Sequence, residues 1–309
     1  MVEQSAHRWA ETQASNGPAP ERPRVIYVMG AGHSGSTILG VALGNCEGVF
    51  FAGEVEEWAV RSGESPIGGT GRVQFWTEVS EKVKDADALF DAEVNRSFER
   101  SSAVFRVSTW GTRRRLRVVY RRVAEELYLA IAQTAGASII VDTSHFPLRA
   151  RELKALTGID LFLVFLVREP QGVVSSELRG IHRHNVAERR IRTLVTNANL
   201  WLTNLLSVLV FTRHPPGRRL FVRHEEFLAN PGATLQRILD LVGSRAAVPD
   251  LASLRTGYPL LGNKLILSEQ VALRQAAEPP PRESRLTAIL QSPWVPVLAR
   301  MTPRMRGEL

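Results

Sequence analysis

The chain has 309 residues, 44% hydrophobic and 23% charged, an ordinary globular balance with enough length to bury a large core in one α/β domain or two smaller ones. Its net charge of +8 either attracts anions (nucleotides, nucleic acid, acidic membranes) or only solubilises an arginine-rich surface. One cysteine, Cys46, excludes an intrachain disulfide and a cysteine-based zinc site, so the chain does not need an oxidising compartment.

Met1 to Arg24 is polar and Pro-rich and lacks the apolar core of a signal peptide. We expect a disordered leader over 1–23, a single domain over 24–309 and a cytoplasmic protein. Val25–Met29 is a short apolar run that ends at a glycine-rich loop, Gly30 to Gly35, and Ser36–Asn45 is helix-compatible. Strand, glycine loop and helix open a nucleotide-binding α/β domain. Val49–Ala52 predicts a second strand, which runs into Gly53 and Glu54. Residues 60–115 have the composition of an insertion or lid, helical in part over 72–100, where substrate contacts are expected.

Leu116–Ala135 places Val119, Val123, Leu127 and Ile131 on one helical face, with a cluster of arginines from Arg113 to Arg122 at its start, read as a solvated face. Ser138–Val141 predicts a third strand, after which Pro147 opens a helix. Leu161–Val167 is apolar throughout, the mark of a central parallel strand, and at seven residues is too short to span a bilayer. Ile191, Leu194, Val195, Ala198, Leu202, Leu205, Leu206 and Leu209 share one face of a long helix. Leu220–Val222 predicts a further strand, Asn230-Pro231 an N-cap with proline in the first turn, and Pro279–Pro281 a loop. Alternating strands and helices predict a three-layer α/β sandwich around a central, mainly parallel sheet.

Two motifs carry chemistry. Gly30-Ala31-Gly32-His33-Ser34-Gly35-Ser36-Thr37 has the glycines, the spacing and the final threonine of the triphosphate P-loop, but Ser36 stands where that loop has lysine. Its amides can cradle a phosphate at a helix N-terminus. Without the lysine that reaches the β- and γ-phosphates, it suits a donor with one 5′ phosphate linked to another group. The second motif is Val167-Arg168-Glu169-Pro170, at the end of the strongest strand, followed eight positions after Arg168 by Ser176. A guanidinium gives bidentate, charge-assisted bonds to phosphate, and a hydroxyl two helical turns on adds a donor.

Together these motifs resemble the PAPS-dependent sulfotransferases, specifically the bacterial, carbohydrate- and tyrosylprotein-type branch. Gly-x-x-His-Ser-Gly-Ser-Thr is similar to the family's 5′-phosphosulfate loop, with His33 where Lys or Arg is common. Arg168 and Ser176 match its 3′-phosphate element. Looser echoes are Asp142-Thr143-Ser144-His145-Phe146-Pro147, Phe221–Phe227 with Asn230-Pro231, and Gly262-Asn263-Lys264, so the resemblance covers roughly residues 24–267. It implies a P-loop NTPase-like fold and transfer of a sulfuryl group from PAPS (3′-phosphoadenylyl sulfate) to a hydroxyl or amine, with PAP as product. The implied donor contacts are Gly32, His33, Ser34, Gly35, Ser36, Thr37, Arg168, Ser176 and Asn263.

Such a displacement needs a general base at the acceptor and hydrogen-bond donors at the leaving oxygen; no metal is expected. His33 is the candidate donor. Glu54 at a strand end is the candidate base, as a Gly-Glu at a similar distance is in the resembling branch. His145, at another strand end, is its rival. Glu56 and Glu57 read as surface charges, and His182, His184 and His224 as surface or packing residues. The acceptor is expected to be a small molecule or glycan, with no specific nucleic acid and no membrane span. Other readings are a P-loop kinase-like phosphotransferase with Asp142 as its Mg²⁺ ligand, an arginine-rich nucleic-acid binder, and a sulfotransferase fold without turnover.

Overall fold

The computed structural model describes residues 22–65, 67–180, 186–273 and 285–301. The expected leader, except its last two residues, lies outside these, as do the loop over Pro279–Pro281, His182 and His184.

Five strands form the main sheet: β1 (Arg24–Gly30), β2 (Val49–Gly53), β3 (Ile139–His145), β4 (Asp160–Val167) and β5 (Arg219–Arg223). Their order is β2-β3-β1-β4-β5, and every neighbouring pair is parallel. The period of two along each strand divides the core. Val25, Tyr27 and Met29 of β1 and Leu161, Leu163 and Phe165 of β4 point into one apolar layer. Ile26, Val28, Phe162, Val164 and Leu166 point into the other. Strands buried on both faces therefore read as uninterrupted apolar runs, and β4 is an interior strand as its composition predicts.

Helices cover both faces. They are α1 (Ser36–Leu43), α2 (Glu57–Val60), α3 (Thr70–Lys82), α4 (Ala92–Glu99), α5 (Trp110–Ala135), α6 (Pro147–Leu153), α7 (Pro170–Glu177), α8 (Val186–Thr212), α9 (His224–Ala229) and α10 (Pro231–Leu241). A two-residue ribbon, β6 (Leu254–Arg255) with β7 (Gln270–Val271), and the helices α11 (Arg285–Gln291) and α12 (Trp294–Met301) follow. α1, α9 and α10 supply Leu39, Phe227, Leu235 and Ile238 to one layer. α3, α4 and α5 supply Trp76, Phe98, Leu127 and Ile131 to the other, so much of 60–115 shares a core with the sheet. Asn230 caps α10, its Oδ1 accepting from the Ala233 amide at 3.3 Å.

Two readings change. The arginines at the start of α5 are not a uniformly solvated face: Arg113 is buried, while Arg117 and Arg121 pair with the buried Glu152 at 3.4 and 2.7 Å. In α8 most of the predicted apolar face is turned outward, although Leu200, Val210 and Phe211 are buried. Thr193, Thr196, Asn197, Asn204 and Ser207 are buried, whereas Ile191, Leu194, Val195, Leu205 and Leu209 face solvent. Asn197 is satisfied inside: Gln291 Nε2 donates to its carbonyl at 3.1 Å and to its Oδ1 at 2.9 Å, and Asn197 Nδ2 donates to Thr287 Oγ1 at 3.2 Å. α8 is also, by length and composition, apolar enough to cross a membrane, with a third of its most apolar window buried.

Candidate functional site

Because all five strands run parallel, their C-terminal ends form one edge, the usual ligand edge of an α/β sheet. Register fixes what meets there. Gly30 lies opposite Leu166, Met29 opposite His145, and Gly53 opposite Asp142, with irregular pairing just before the last two. The glycine loop, Glu54, His145 and Arg168 therefore leave the sheet side by side.

The loop turns sharply, with His33 and Gly35 at φ +62° and +86°. A Cβ on Gly35 would stand 2.4 Å from the ring of His224, the first residue of α9, so the loop lies directly on that buried imidazole. Glycine is needed here both for the left-handed backbone and for the close approach. Ser34 Oγ is buried with no hydrogen-bond partner among the described residues, a donor of the kind an anion in the loop would satisfy. Thr37 is buried, and its Oγ1 accepts from the Asn263 amide at 3.2 Å; the Asn263 side chain is exposed.

Arg168 follows β4, and its Nη1 donates to the carbonyl of His33 at 3.1 Å. The two motifs, 135 residues apart in sequence, are thus in contact. On α7, Ser176 Oγ accepts from Arg179 Nη2 at 3.0 Å. The neighbouring Glu177 binds His33 Nε2 at 2.9 Å and Arg192 at 3.5 Å, so the imidazole is anchored to the helix that carries Ser176.

Glu54 is half-buried, and its amide donates to the Leu261 carbonyl at 3.0 Å. Gly53 before it has φ +79°, and a Cβ there would meet Leu261 O at 2.3 Å. The segment from Pro259 to Asn263 thus straps Glu54 to the loop. Burial, then the carboxylates of Glu57 and Asp142, push the Glu54 carboxyl up to about 7 against the opposing pull of Arg100. That suits a base working near neutral pH. His145, also at positive φ (+55°), is a different case: burial pushes its imidazole down to about 4, and its ring packs at 4.4 Å against Phe146, tilted by 45°.

Below the edge lies a buried polar cluster. Tyr128 Oη and Ser144 Oγ donate to Asp142, whose Oδ1 also accepts from the Ser144 amide at 2.7 Å. Arg149 stands 3.6 Å from Asp142 and 3.1 Å from Glu99, which accepts from Tyr120 at 2.9 Å. Asp142 is fully buried and held in this cluster, so it does not reach the edge as the metal ligand that a phosphotransferase reading requires. Glu56, read as a surface charge, is buried; burial and the nearby Glu54 push its carboxyl well above the usual range, and Ser144 Oγ accepts from its amide at 3.2 Å. Glu57 is nearer the surface, paired with Arg61 at 3.3 Å.

Sequence reasoning missed the His224 wall, the Glu177 anchor, the 259–263 strap and Arg100. Arg100 lies 5.0 Å above the Phe146 ring and acts electrostatically on both Glu54 and His145. Glu177 and Arg100 belong to no periodic pattern or short motif, and the echoes that contain His224 and Asn263 did not mark those contacts; only the packing brings the four to the edge.

A parallel sheet with a glycine loop after its first strand, and an arginine brought onto that loop from the adjacent strand, defines an α/β protein of the P-loop class. More particularly, the chain belongs to the sulfotransferase family, whose model matches residues 23–247. It is similar in structure to the sulfotransferase domain from the curacin biosynthetic pathway (TM-score 0.53, 16% identity, covering 89% of this chain and 98% of that one). It is also similar to the sulfotransferase domain from the Synechococcus PCC 7002 olefin synthase (TM-score 0.54, 16% identity, 90% and 96% coverage). At this identity the likeness shows a shared fold. A sequence search of curated proteins returned no match.

Proposed function

We propose that the protein transfers the sulfuryl group of PAPS to a hydroxyl or amine of a small-molecule or glycan acceptor and releases PAP. The observation that carries this reading is the contact between Arg168 and the loop carbonyl of His33, which joins two anion-binding elements on one sheet edge. The loop amides, with the side chains of Ser34, Ser36 and Thr37, hold the 5′-phosphosulfate. Arg168 and Ser176 hold the 3′ phosphate, and Asn263 closes over the nucleotide.

The acceptor oxygen or nitrogen attacks sulfur in line with the bridging oxygen. The new bond to sulfur forms as the S–O bond to the 5′ phosphate breaks, and that electron pair leaves with PAP. Glu54 takes the acceptor's proton. His33 and the loop amides stabilise charge on the leaving oxygen, which is where fixed dipoles contribute most. Glu54 is preferred to His145 as base because a group near 7 accepts a proton at neutral pH far better than one near 4.

The test is incubation of the pure protein with sulfur-labelled PAPS and an extract of its host. Label appearing in an acceptor, with stoichiometric PAP, supports the reading. PAP release at the same rate with and without extract, and no labelled product, contradicts it.

A further inference from the structure

We infer that the acceptor carries an acidic group, held by Arg100 together with Arg96 and Arg106. These three arginines, with Ser102 and Ala103, line a cavity of about 250 Å³ after α4. Glu93 alone serves two of them, at 3.7 Å from Arg96 and 3.0 Å from Arg106. Arg100 meets no carboxylate among the described residues and instead lies over Phe146. Phe146 in turn packs against His145, so the cavity opens within a few side-chain lengths of the reacting edge. A second cavity, about 380 Å³, is lined by Val104, Arg113, Arg114, Arg117 and Arg151 beside Trp110. A carboxylate, sulfate or phosphate on the acceptor would be gripped here while its hydroxyl reaches Glu54. The neighbouring apolar surface of Trp110 and the exposed Phe105 suits a carbon skeleton between the two.

This inference rests on the proposed function, and the experiment separates the two. Protein saturated with PAP is titrated calorimetrically with inorganic sulfate and with tripolyphosphate, as wild type and as Arg100→Gln and Arg106→Gln. Expected are anion binding to the PAP-loaded wild type, about ten-fold weaker binding in each variant, and unchanged PAP affinity. No anion binding by the loaded wild type, or equal binding by wild type and variants, overturns the inference. Failure of PAP itself to bind strikes the proposed function instead, and the same titration without nucleotide still reads the cavity through the variants.

A separate observation concerns α8, and from it we propose that two copies of the chain pair through this helix. Ile191, Val195, Ala198, Leu202, Leu205 and Leu209 follow one another at intervals of four, three, four, three and four, the spacing of a coiled-coil seam. No charged residue lies between Arg192 and Arg213, so nothing on the seam repels its own copy. Ile191, Leu194, Val195, Trp201, Leu205 and Leu209 are 63, 51, 47, 38, 45 and 37% exposed. Together they leave roughly 500–600 Å² of apolar surface, Trp201 at its border with α11 and α12, as much as the largest patch on an ordinary monomer. An isologous pair doubles this to about 1,100 Å², past the ~1,000 Å² that a specific interface needs.

Sedimentation equilibrium at micromolar concentration should find a dimer, and Leu202→Glu and Leu205→Glu should each give a folded monomer. Circular dichroism checks that these surface changes leave the fold intact. A monomeric wild type overturns the proposal, as does a dimer that survives both substitutions. So does a monomer that floats with vesicles of anionic lipid and is released by Leu202→Glu, which would make the face a membrane surface.

Discussion

Glu54→Gln keeps the side chain's shape and one acceptor oxygen while removing its basicity. Burial, with Glu57 and Asp142 nearby, brings the Glu54 carboxyl to about 7. On the proposed mechanism only the ionised form takes the acceptor's proton, so kcat should rise with pH and level off above that value. One unit below it, about a tenth of the enzyme is competent; two units below, about a hundredth. Removing a general base costs about 100-fold, or ~2.7 kcal/mol of barrier. The kcat profiles of wild type and Glu54→Gln should therefore lie about two decades apart above neutrality and converge near pH ~5. PAP affinity should stay within about two-fold, since on the proposed mechanism Glu54 serves the acceptor and not the nucleotide. Stopped assays with a true acceptor and buffers from acid to alkaline pH give the comparison. An inflection near 7 that persists in Glu54→Gln, or a loss of only a few-fold, refutes the assignment. If His145→Asn proves the slower variant, the base is His145.

Gly35→Ala puts a Cβ 2.4 Å from the His224 ring at a position held at φ +86°, so PAP affinity should fall at least about ten-fold by calorimetry. Arg149→Met leaves Asp142 and Glu99 buried without their cation, and urea unfolding should lose about 3–5 kcal/mol. Treatment with EDTA should leave sulfuryl transfer unchanged in a stopped assay. Loss on chelation, restored by Mg²⁺, would instead favour phosphotransfer.

The strands were legible because each is buried on both faces and so reads as an unbroken apolar run. Leu161–Val167 predicts β4 to within a residue, and Val25–Met29 gives β1 to within one residue at each end. The glycine loop was legible for a different reason: a strand-to-helix turn built from consecutive residues is local in sequence. Glu54 could be singled out by its place at a strand end. Its environment could not, because Asp142, Arg100 and the 259–263 strap come from three distant segments. The fate of Glu56 was hidden for the same cause: three acids within four residues look like a surface run, and only the polar cluster below β3 explains a buried one. α8 was misleading in another way. Periodicity identifies which residues share a face but not which face is buried, and here Asn197 on the polar side found its partners in α11.

The central claim, that the two motifs together bind a 3′,5′-bisphosphorylated nucleotide, is tested most directly by calorimetry of PAP and 5′-AMP with wild type and Arg168→Ala. The account predicts that wild type binds PAP far more tightly than AMP. It predicts that Arg168→Ala weakens PAP by about 10- to 150-fold, the cost of one charge-assisted contact, and leaves AMP nearly unchanged. Equal affinity of wild type and variant for PAP, or AMP binding as tightly as PAP to the wild type, would contradict it.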